Sequence, residues 1–142
     1  MPQLVALPQR DPIQTRSDNI GDYKALLVPA FPDLADTAVY IPRYGLSIKP
    51  WSNWSGESQP DCWRAHNNVK HYRDSHFQEA TLKNALDALG ALLLLCLHYY
   101  SRKLATQQRS GLSRQETAQR LMPQSQFMRL DESWYYSVVV AG

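Results

Sequence analysis

The chain has 142 residues, of which 44% are hydrophobic, and a formal net charge of +2 at neutral pH. That length suits one globular domain with a modest core, and so small a charge excludes nucleic-acid recognition by bulk electrostatics alone. Two cysteines exclude a disulfide framework, and residues 1–22 hold no apolar run of signal-peptide length, so a cytoplasmic protein is expected.

Residues 1–58 contain seven of the nine prolines, which excludes long helices through most of this half. An irregular, Pro-rich region is expected. Within it Tyr23–Val28 fits a short helix or strand, and Thr37–Ile41 and Tyr44–Ile48 fit short extended segments around Pro42 and Gly45. Arg43 and Lys49 are expected to stay solvated or to extend a cationic surface further along the chain. Trp51 and Trp54 read as packing aromatics that close one end of the helices that follow, with base stacking as the sharper alternative.

The pattern strengthens after Pro60. A first helix is predicted over about Asp61–Arg73, with Cys62, Ala65, Val69 and Tyr72 on one stripe as its docking face. Away from that stripe lie Arg64, Asn68 and His71, with Asn67 beside them. From Arg64 to Arg73 there are three full positive charges (Arg64, Lys70, Arg73), two histidines and no acid. An exposed row of this kind attracts phosphate or carboxylate, and a plain solvated basic face explains it equally well.

Ser75 followed by Gln78 fits a capping box that opens a second helix, about His76–Gln107, after a sharp corner at Asp74–Ser75. The two helices are expected to form an antiparallel hairpin. At about 1.5 Å per residue the second would be about 45 Å long. Its centre, Ala88–Leu97, carries no charge, the mark of a helix buried on every side, and is about half the length of a bilayer span, so no membrane is expected. Asp74, Glu79 and Asp87 read as solvated or ion-paired acids. His66, His71 and His76 step by five and do not share one helical face, and Cys62–His66 lacks a second ligand pair, so neither metal nor cofactor is expected.

Arg109–Gly111 breaks the helical pattern, and Ser113 with Glu116 caps a short helix over Arg114–Leu121 that Pro123 ends. Phe127–Leu130 and Trp134–Val140 read as extended. The expectation is one mainly α domain over 1–142: irregular 1–58, a helical hairpin over 59–107, and a short helix with an extended tail over 108–142. A second copy or another chain is expected to cover the remaining face of the long helix.

The string Trp63, Asn67, Val69, Lys70, His71, Arg73, Phe77, Ala80, Asn84, Ala88 and Leu89, that is W...N.VKH.R...F..A...N...AL, resembles the HEPN superfamily. Members are helical domains that often act as metal-independent ribonucleases or as partners of nucleotidyltransferases. Their catalytic signature is Arg, a polar residue, any three, then His. Aligned on His71, the polar position is Asn67 and the Arg position is His66; Arg64 lies two residues earlier. The resemblance implies His71 as general acid or base, Arg64 or Arg73 near the phosphate and Asn67 as an amide that orients the imidazole or bonds a phosphate oxygen, with Lys70, Asn68 and His66 contacting nucleic acid. It also implies a homodimer with two such helices face to face, RNA or a nucleotide as ligand, an antitoxin or nucleotidyltransferase as protein partner, and a place in a bacterial or phage toxin or defence system. The alternative is a non-catalytic HEPN-like interaction module, which His66 at the signature's Arg position favours; a purely structural subunit is the third option.

Overall fold

The computed structural model describes residues 19–108 and 127–131; the helix expected at 114–121 and the strand expected at 134–140 lie outside them. Within the described residues the fold is mainly helical, four α-helices with one small three-stranded sheet.

The first helix, α1 (Ile20–Ala30), begins where the Asn19 side chain accepts a hydrogen bond from the Asp22 amide at 3.0 Å, pairing an amide that a first turn leaves unsatisfied. Tyr23–Val28, which suited helix or strand by sequence, is thereby helical. Two of the short extended segments form β1 (Val39–Ile41) and β2 (Leu46–Ile48), an antiparallel pair with Tyr40 opposite Ser47. A 3-10 turn at Pro42–Tyr44 joins them and ends on Gly45 at φ 59°, a left-handed conformation that suits glycine. The third strand, β3 (Arg129–Leu130), pairs on the other side of β1, with Tyr40 opposite Arg129. Alternation along β1 turns Val39 and Ile41 into the core and leaves Tyr40 outside.

Trp51 and Trp54 are both buried, with ring centroids 4.3 Å apart. The indole Nε1 of Trp51 donates to the Ala91 carbonyl at 3.2 Å, so these rings pack and are not free to stack on a base. Leu27, Phe31, Leu34 and Leu130 close the core around them.

The helical half departs from expectation in two places. It comprises α2 (Asp61–His71), α3 (Arg73–His76), a 3-10 turn at Phe77–Glu79 and α4 (Leu82–Gln108). The first helix thus ends two residues early and the long one starts at 82, not 76. Ser75 does not cap it: Ser75 Oγ donates to the Tyr72 carbonyl at 3.3 Å, and Gln78 Nε2 donates to the Ser75 carbonyl at 2.8 Å. The cap is Thr81, whose Oγ1 accepts from the Asn84 amide at 3.2 Å. The 27 residues of α4 span about 40 Å.

The second departure concerns what covers α4. Leu86, Ala91, Leu94 and Leu97 sit in the core, and Gly90 permits close approach to the sheet, since a Cβ there would lie 3.0 Å from Ile48 Cδ1 and 3.1 Å from Pro50 Cγ. The opposite side is open. Leu82, Leu89 and Leu92 are 70%, 51% and 57% exposed, and Cys96 is exposed as well. The helix is therefore buried on one face only, and its uncharged run serves two surfaces. The outer one, at positions 82, 85, 89, 92 and 96, repeats every three and four residues, the spacing of a seam between helices. Leu82–Lys103 is long and apolar enough to cross a membrane by length and composition, yet Leu86, Leu94 and Leu97 on it belong to the protein's own core.

Candidate functional site

α2 packs on α4 through the face that carries Cys62, Ala65 and Val69. His66 borders that face, and with Cys62, Val69, Asn84 and Ala88 it lines a groove of about 380 Å³ between the helices. At about 100° per residue the opposite face carries Arg64, Asn67 and His71, with Lys70 on its flank. Arg64, Lys70 and His71 are exposed and Asn67 is half-buried. Arg64 Nη2 lies 3.0 Å from Asp61 Oδ1; both ends stand in water, so the pair contributes little to stability and yields readily to a stronger anion. The side chains of Asn67, Lys70 and His71 make no hydrogen bond or ion pair among the described residues. The His71 ring has only a tilted contact with Tyr72, centroids 6.5 Å apart. Arg73 lies beyond the end of α2, its guanidinium carbon 5.9 Å from the centre of the Phe77 ring.

Asn68 does not stand in this row. Its Nδ2 donates to both carboxylate oxygens of Glu79, at 3.1 and 3.0 Å, while His76 Nδ1 meets Glu79 Oε1 at 2.6 Å. Asn84 completes the corner by donating from Nδ2 to the Glu79 carbonyl at 2.8 Å. Sequence reading expected Glu79 to be solvated or ion-paired, which its contact with His76 fits, but it missed the lock with Asn68, because a helix unbroken from 76 onward conceals the turn that folds Glu79 back toward α2. The only available signal was the three-residue spacing of His76 and Glu79, which is common on solvated helices.

The bonds from His76 and then Asn68 hold the Glu79 carboxyl below the usual carboxylate range, against a smaller opposing effect of burial. A carboxyl whose pKa falls on folding stabilises the folded state above its unfolded pKa, and that contribution is lost as pH drops through the folded value. Glu79→Gln is therefore expected to be less stable than the wild type at neutral pH, with the gap closing on acidification below the carboxylate range. Urea denaturation across pH measures this; a gap independent of pH would show that Glu79 does not act through its charge.

Cys62 is half-buried, and burial followed by the charge of Asp87 pushes its thiol up. Asp87 itself is bound by Lys83 Nζ at 2.9 Å. A thiol held in its neutral form is a poor nucleophile and a poor metal ligand, so Cys62 reads as packing. Position 66 belongs to the groove and not to the outward row, which separates it from His71 although both lie on α2.

The arrangement offers a phosphate a flexible cation, an amide and an imidazole on one solvent-facing surface. One imidazole moves one proton; a displacement at phosphorus needs a base and an acid. The second group must come from elsewhere. Comparison with models of known families, with curated proteins and with solved structures finds no match to this chain, so the HEPN resemblance rests on its motif.

Proposed function

We propose that the outward face of α2 binds RNA and, set against the same face of a second copy, cleaves it without a metal ion, as a HEPN-like ribonuclease of a toxin or defence system. What supports this reading is that Asn67, Lys70 and His71 share the outward face of α2, Lys70 and His71 exposed and Asn67 half-buried, and that their side chains make no hydrogen bond or ion pair among the described residues. Polar groups left free on one face of a helix that is docked by its other face are available to a ligand. One His71 takes the proton of a ribose 2′-hydroxyl, whose oxygen attacks the adjacent phosphorus. The bond to the 5′ oxygen breaks, and the His71 of the second copy protonates that leaving oxygen. Lys70, with Arg64 or Arg73, offsets the charge that gathers on the phosphorane, and Asn67 orients an imidazole or binds a phosphate oxygen. The apolar stripe of α4 supplies the contact between copies, and the cytoplasm, where RNA is at hand, is the place of action.

The test is incubation of purified protein with RNA in the presence of a chelator. Products ending in a 2′,3′-cyclic phosphate are expected, and a strand with a deoxyribose at the scissile position should be bound but not cut. Cleavage that stops on chelation, or that proceeds at the deoxyribose, would remove the assignment. A second reading, an RNA-binding module without catalysis, is favoured by His66 at the signature's Arg position and by the engagement of Arg64 with Asp61. It expects salt-sensitive binding with the strand left intact.

A further inference from the structure

The outer face of the sheet carries a second set of groups that the α2 surface does not use. Strand pairing places Tyr40 directly opposite Arg129, so their side chains rise from the same face at neighbouring positions. Arg43 and Phe127 share a cleft with Arg129, and Tyr44 follows Arg43 in the turn after the strand of Tyr40. Pro42, Arg43, Phe127 and Arg129 line a cleft of about 540 Å³, within the range of sites that hold small ligands. No carboxylate is among the described residues that line it. The aromatic rings are open to solvent: Tyr40 is 38%, Tyr44 52% and Phe127 39% exposed. The Arg43 guanidinium carbon lies 5.8 Å from the centre of the Tyr44 ring. Exposed rings beside arginines, with no acid among the described residues that line the cleft, make the combination that grips unpaired nucleotides: ring faces take bases and guanidinium groups take phosphates.

We infer that this sheet face is a binding platform for single-stranded RNA, with Arg43 and Arg129 on the backbone and Tyr40 and Tyr44 stacking unpaired bases. The inference rests on the RNA reading of α2 and names the form of RNA that reading requires, a strand whose bases are splayed and free. It adds a contact that holds the strand by groups other than those that cut it.

The experiment is a fluorescence-anisotropy titration of the full chain with a labelled 2′-O-methyl oligouridylate, which cannot be cleaved through its 2′ oxygen. The double variant Arg43→Ala, Arg129→Ala is expected to bind about tenfold more weakly and to lower the slope of log affinity against log salt by roughly one to two. Tyr44→Ala should weaken binding about tenfold and leave that slope unchanged, because stacking carries no net charge. All three residues are exposed, and far-UV circular dichroism shows whether the variants keep the fold. If the sheet variants bind as wild type while Lys70→Glu binds less, the platform is overturned and the α2 reading stands. If the wild type binds no RNA, the RNA reading itself fails. Uridine monophosphate competing as well as the oligomer would also overturn the platform, since it would show a mononucleotide pocket.

Discussion

Alanine in place of His71 is expected to lower RNA cleavage by at least about 10²- to 10⁴-fold, the contribution of one positioned proton-transfer group, since the dimer loses two. The loss should appear without loss of structure. His71 is exposed on the outward face of α2 and its side chain makes no hydrogen bond among the described residues, so nothing in the fold leans on it beyond a loose contact with Tyr72 at 6.5 Å. Binding of the uncleavable oligomer should fall far less than cleavage, because Lys70 and the sheet arginines still meet the backbone. Mixing His71→Ala chains with wild type should give heterodimers well below wild-type activity, since the composite site would keep only one of its two imidazoles. Full activity in the variant would show that the chemistry lies elsewhere, or that there is none.

The largest effect on stability is expected at Leu94, which is completely buried at the middle of α4. Leu94→Ala should cost about 2–5 kcal/mol, a large share of the roughly 5–15 kcal/mol that holds a domain together. Leu92 provides the internal control: it is the same residue type on the same helix two positions away, and it is 57% exposed. In the isolated chain Leu92→Ala should change stability by no more than about 0.5 kcal/mol. If the outer stripe joins two copies, the same change will show as a midpoint that depends on protein concentration in the wild type and less so in the variant. Urea denaturation at several concentrations reads both. Equal costs at 92 and 94 would mean that α4 is covered on both faces within one chain.

This pair of leucines also shows what sequence pattern conveys and what it conceals. An uncharged run announces that both sides of a helix avoid water, and it does so correctly for Leu94 and Ala91. It does not say which side meets the chain's own core and which awaits another molecule, because leucine serves both surfaces alike. The short strands were legible from Pro42, Gly45 and the β-branched residues around them, and the tryptophan pair from its place before the helices. The corner between α2 and α4 was not. Ser75 and Gln78 have the right spacing for a cap, but Thr81 competes for that role, and Asn68 and His76 hold Glu79 through contacts that no periodicity encodes. Of the candidate site, the outward position of Asn67 and His71 follows from helical angles alone, while the turning of Asn68 toward Glu79 and of His66 toward the groove depends on where α4 lies. The sheet platform was hidden for a further reason. Tyr40 and Arg129 are far apart in the chain and become neighbours only through strand pairing.

The most direct measurement is whether two copies of residue 71 face each other. With Cys62 and Cys96 replaced by serine, His71→Cys supplies a single thiol per chain, and a short bis-maleimide reports proximity by gel mobility. The expected result is a covalent dimer formed efficiently from the 71 position and not from Tyr44→Cys in the same background. A chain that sediments as a monomer, or a dimer that links through Tyr44→Cys and never through 71, would contradict a composite site built from two α2 faces.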